Sequence, residues 1–125
     1  MALVKTSAAP IFEVPGFLIT GLTSPKRGAS EVSTWHIEIK PGGQSEEHWL
    51  DHEETFIVVE GTLTAYVNKE KIEVSSGDAL AVPAKTPMQL NNFGTSPVKA
   101  VACVPCGTQG TMADGREIGV PPWAQ

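Results

Sequence analysis

The run Thr34-Trp35-His36-Ile37-Glu38-Ile39-Lys40 alternates without a slip, placing Trp35, Ile37 and Ile39 on one face and His36, Glu38 and Lys40 on the other. A period of two excludes a helix there and demands a sheet with one buried face. Alternation returns with Leu63, Ala65 and Val67, with Ile72 and Val74, and along Val98 to Val104. Thr55 to Glu60, Ala79 to Val82 and Met88 to Asn92 read as further strands. Turns punctuate them at Glu60-Gly61, Asn68-Lys69-Glu70-Lys71, Gly77-Asp78 and Asn92 to Pro97, and Pro83 ends a strand because proline cannot donate to a ladder. Twelve Gly and ten Pro fit short strands and turns, and no window has a helical period long enough to compete. The expectation is an all-β, antiparallel sandwich or barrel of eight or nine strands.

At 125 residues the chain is long enough for one core and too short for two conventional domains. Residues 1–16, with Pro10, Pro15 and Gly16 around Ile11, Phe12 and Val14, read as an apolar arm that docks on a partner surface such as a second subunit. Residues 17–107 form the barrel, and residues 108–125 a tail packing on it. The tail's Gly119-Val120-Pro121-Pro122-Trp123 is expected to pack on a neighbour in preference to capping a pocket mouth. A net charge of -5 offers no basic surface for nucleic acid or anionic membranes. With no signal-peptide pattern and no run near the roughly 20 apolar residues of a membrane span, a cytoplasmic location is expected. Cys103 and Cys106 form a C-x-x-C, but residues three apart on a strand lie about 10 Å from each other, beyond disulfide reach, so reduced cysteines are expected.

Candidate chemistry concentrates between Gly42 and Gly61. Residues of equal parity share a face of an extended chain, which directs His48, Leu50, His52, Glu54, Phe56 and Val58 the same way as the core. Residues 41–68 carry six carboxylates, Glu46, Glu47, Asp51, Glu53, Glu54 and Glu60, and no lysine or arginine, and such a stretch attracts cations and repels anions. In a straight chain His48 and Glu54 would be about 20 Å apart, so a shared site requires a bend within 50–53. His36 points away from the apolar face.

Gly42, His48, Glu54 and Gly61 fall at the spacing of the first cupin motif, and Gly77, Pro83 and Asn92 at that of the second. The chain therefore resembles the cupin superfamily, closely over residues 42–92 and loosely in the flanking strands. The resemblance implies a jelly-roll β-barrel with a cavity between its sheets, a bend between His48 and Glu54, and a homodimer. It departs from the family at three positions: Leu50 stands for a ligand histidine, Lys85 for the inner glycine of the second motif, and Met88 for its ligand histidine. His48 and Glu54 carry over as metal ligands, and His52 is expected to complete a two-histidine, one-carboxylate set for one divalent ion, iron, zinc, manganese or nickel. Trp35, Leu50, Phe56, Tyr66, Met88 and Leu90 would line a pocket for a flat or hydrophobic small molecule.

Three readings follow. The first is a mononuclear metal enzyme of dioxygenase or isomerase type, with Glu54 or Glu53 carrying protons. A second is a metal-free isomerase, cyclase or lyase whose cavity carboxylate works beside His48 or His52. The third is a non-catalytic metabolite-binding module.

Overall fold

A computed structural model of residues 1–125 shows two six-stranded antiparallel sheets packed as a jelly-roll sandwich. In chain order the strands are β1 (Ile11–Val14), β2 (Phe17–Gly21), β3 (Val32–Ile39), β4 (His48–Leu50), β5 (Glu54–Glu60), β6 (Leu63–Val67), β7 (Glu70–Val74), β8 (Ala79–Val82), β9 (Met88–Asn91), β10 (Val98–Pro105), β11 (Gly110–Met112) and β12 (Glu117–Gly119). The first sheet runs β1-β2-β3-β10-β5-β8 and the second β12-β11-β4-β9-β6-β7. Three single 3-10 turns are the only helical elements, and no helix is long and apolar enough to cross a membrane.

The alternation in the sequence becomes the inner face of the first sheet. Trp35, Ile37 and Ile39 on β3 and Ala100, Ala102 and Val104 on β10 are all buried, and the two strands stay in register over eight residue pairs. Phe56 and Val58 on β5 extend this layer, while His36 faces solvent. Leu63, Ala65, Val74, Met88 and Leu90 answer from the second sheet. Side chains from both inner faces close the core. Buried Asn92 ties the loop after β9 to β3, its Nδ2 donating to the carbonyls of Ile39 at 2.9 Å and Ser96 at 2.8 Å.

Twelve strands form where eight or nine were expected, because the arm and the tail are strands too. Residues 11–14 fold back on β2 of the same chain as a hairpin turned at Pro15-Gly16. That turn is held against the loop after β3: a Cβ on Gly16 would lie 2.8 Å from Gly43 Cα, and Gly16 has φ +81, so only glycine fits the approach. The tail contributes the β11–β12 hairpin beside β4. Its last turn is anchored from below, where Arg27 Nη2 donates to the Trp123 carbonyl at 2.6 Å and Ser33 Oγ to that of Ala124 at 3.2 Å. Cys103 lies on β10 and Cys106 in the turn beyond it, and both are free thiols.

Candidate functional site

Between the sheets, at the end where arm and tail meet, lies a cavity of about 410 Å³. Trp35 and Phe56 rise from the first sheet, with Phe17, Ile19 and Ile37 beside them, while Leu50 and Leu90 face them from the second. The arm adds Val14 and Pro15 and the tail Met112, Ile118, Pro121 and Trp123. Trp123 stands edge-on to Phe12 and tilted against Trp35, with ring centroids 6.1 and 6.4 Å apart. The tail thus packs on the barrel of its own chain and forms part of the cavity wall. No periodicity marks this role; it follows from the Arg27 and Ser33 anchors, which are distant in sequence.

Few polar side chains reach the cavity: Gln44, Ser45, Glu46, His48, Glu54 and Thr108. His48 and Glu54 are separated by the required bend, which falls at Asp51-His52 and carries the chain from β4 in the second sheet to β5 in the first. They therefore stand on opposing walls. Burial holds the His48 imidazole below its ordinary value, a tendency partly offset by its hydrogen bond to the Glu46 carbonyl and by the Glu46 charge. Nδ1 lies 2.9 Å from that carbonyl oxygen. Because a carbonyl can only accept, Nδ1 carries the hydrogen and Nε2 keeps the lone pair.

Glu54 opens β5 as a buried side chain, 4% exposed, on an otherwise apolar inner face. Burial alone pushes its carboxyl up to about 8, since the charged form would have to exist without water. Near neutral pH the group is therefore mostly a neutral acid. No lysine or arginine lines the cavity to lower it again.

Four sequence-predicted residues lie elsewhere. His52 sits exposed on the bend, its Nδ1 2.9 Å from Asp51 Oδ1, because the strand parity that aimed it inward is broken there. Glu53, next to it, is exposed as well. Tyr66 faces away from Leu63 and Ala65 on β6, and does not line the cavity. Met88 pairs with His48 across the strands and is fully buried, yet packs in the core beyond the cavity lining. The metal set His48, His52 and Glu54 is consequently not brought together. No three histidine, cysteine, aspartate or glutamate side chains group closely enough to hold an ion. Where the family motif has two further histidines, the hydrocarbon of Leu50 and the thioether of Met88 stand instead. The donors present do not fit a mononuclear centre, which needs at least three protein ligands.

Comparison with known proteins agrees with this architecture. The family model described as Cupin domain matches residues 35–104. This chain is a cupin. An uncharacterized protein, MJ1618 of Methanocaldococcus jannaschii, is 37% identical to this cupin over 109 residues, covering 82% of the chain and 86% of the relative. Tetracenomycin polyketide synthase protein TcmJ of Streptomyces glaucescens is 28% identical over 100 residues, 79% of the chain and 67% of the relative. Among solved structures, the polyketide cyclase RemF from Streptomyces resistomycificus superposes with a TM-score of 0.74 at 19% identity, covering 98% of this chain and 88% of that one. At that identity the likeness speaks to the fold alone.

Proposed function

We propose that this cupin is an acid–base enzyme of isomerase, cyclase or lyase type that acts on a small hydrophobic carbonyl compound without a metal ion. The observation that carries the reading is Glu54, a carboxyl held neutral near pH 7 inside an apolar cavity, across from an imidazole that burial keeps unprotonated. An acid and a base kept apart in this way are what carbon-acid chemistry at a carbonyl needs. His48 Nε2 takes the proton from the carbon next to the carbonyl, and the Glu54 carboxyl gives its proton to the carbonyl oxygen. The product is an enol, with His48 as imidazolium and Glu54 as carboxylate. Returning the proton to a different carbon isomerises the substrate; attack of the enol carbon on a second carbonyl closes a ring. Two similar proteins, a polyketide synthase protein and a polyketide cyclase, support the ring-closing branch.

Tetralone in heavy water tests the step without knowledge of the natural substrate, by following deuterium entry beside its carbonyl by NMR. The protein should accelerate exchange in the presence of a chelator, and Glu54→Gln should lower the acceleration roughly a hundredfold or more. Exchange abolished by the chelator, or near-stoichiometric metal found by elemental analysis after loading with iron, zinc, manganese or nickel and lost in His48→Ala, would return the protein to the metal-enzyme reading. Tight ligand binding with no exchange would leave a non-catalytic binding module.

A further inference from the structure

No arginine lines the cavity, but the Arg116 guanidinium reaches the side chain of one residue that does. Glu46 lines the cavity, and its Oε2 accepts a hydrogen bond from Arg116 Nη2 at 2.8 Å. Arg116 stands between β11 and β12, the hairpin that supplies Met112 and Ile118 to the same wall. Asp114 is its second partner, Oδ2 lying 3.8 Å from Nη2. The hairpin is fastened here by backbone as well, Ala113 N donating to the Glu47 carbonyl at 2.9 Å. Both side chains of the Glu46–Arg116 pair are more than half exposed, so the pair adds little to stability. Its effect on the field at the mouth is a separate matter. A paired arginine presents no net charge to an arriving ligand, whereas a free one beside an apolar cavity is a strong anion receptor.

We propose that Glu46 is a specificity-determining residue: by engaging Arg116 it keeps the mouth free of positive charge and restricts the cavity to uncharged, flat ligands, excluding carboxylates and phosphate esters. The proposal takes from the acid–base reading only that this cavity is the ligand site, and it deepens that reading by naming the charge class of the substrate. An anion entering the wild-type cavity would meet the Glu46 carboxylate and no free cation, the Arg116 guanidinium being already engaged. Once Glu46 loses its charge, the Arg116 fork is held by Asp114 alone and is free to turn toward the mouth.

The test is a set of probes that share one ring system: neutral acetonaphthone, anionic naphthoate and cationic naphthylmethylammonium. Their affinities are read by tryptophan fluorescence and calorimetry in the presence of EDTA, so that no adventitious cation recruits the anion. Wild-type protein should bind the ketone at least about tenfold tighter than naphthoate. In Glu46→Gln the ratio of naphthoate to ketone affinity should rise about threefold to tenfold, more so with Asp114→Asn added, and the gain should shrink as salt is raised. Adding Arg116→Gln to Glu46→Gln should cancel it. A wild-type preference for naphthoate or for the ammonium probe overturns the proposal. So does an unmoved ratio in Glu46→Gln, or a gain that survives removal of Arg116. Because these measurements involve no turnover, their failure is separable from that of the acid–base reading, which the exchange experiment with Glu54→Gln decides.

Discussion

The cavity wall from the first sheet carries Phe17, Ile19, Trp35, Ile37 and Phe56, all buried, on strands as long as eight residues. The opposite wall sets beside buried Leu50 and Leu90 the exposed Gln44 and Glu46 and the half-buried Ser45 and His48, from a three-residue strand and the segment leading into it. Long ladders with unbroken alternation bury apolar area and hold shape. Short strands with frequent turns bury less and leave polar groups free to face a ligand. One wall is built for stability and the other carries most of the polar groups of the proposed site, with Glu54 the exception that the rigid wall lends to it. Placing the acid on the rigid side keeps its carboxyl away from water, which is what raises it.

The sharpest way to break this contrast is truncation on each side. Phe56→Ala should cost about 3–5 kcal/mol by denaturant unfolding, and Met112→Ala, half-buried in the opposite wall, less than about 1.5 kcal/mol. Equal losses would mean that the walls do not divide the labour.

Glu54 gives the next largest effect, and its sign is fixed. The folded state holds a proton at about 8 that the unfolded chain releases near 4.5, so stability from this group is fully present below 4.5 and is lost as pH rises through 8. The slope approaches about 1.4 kcal/mol per pH unit within that window. Glu54→Gln should flatten the slope and exceed the parent in stability at the alkaline end by on the order of 3 kcal/mol, while losing the exchange reaction. Identical pH dependence in parent and variant would remove Glu54 as a buried acid.

His48→Gln should lower the exchange rate roughly a hundredfold, equivalent to about 2.7 kcal/mol of barrier. In the parent the acid limb of the rate profile should lie below the ordinary histidine value of 6.5 and the alkaline limb near 8, because burial lowers the imidazole and raises the carboxyl. An acid limb that persists in His48→Gln would assign the base elsewhere.

The smallest effect is at Lys85, which has φ +59 and donates its backbone N–H to the Leu50 carbonyl. Lys85→Gly should gain up to about 1 kcal/mol by relieving a left-handed conformation, and a loss would show that the lysine side chain matters to this wall.

The sequence made the rigid wall legible because alternation in β3 and β5 maps directly onto inner and outer faces. The bend between His48 and Glu54 was also foreseeable, as one cavity cannot otherwise hold both. His52 was not, since parity means nothing across a bend that moves the chain between sheets. Tyr66 was misplaced although Leu63, Ala65 and Val67 had already put it on the other face. Trp123, Pro121 and the Glu46–Arg116 pair depend on contacts between residues about 70 or more apart, for which a single sequence holds no local signal.

The crossing at Asp51-His52 has a mechanical corollary. With His48 on one sheet and Glu54 on the other, the span between the proposed base and acid is tied to the thickness of the sandwich, about 10 Å between backbones. The two sheets act as the jaws of a vice, with the ligand as the workpiece. Hydrostatic pressure, which favours states with less internal void, should change the rate of the proposed exchange reaction at pressures where the fold is still intact.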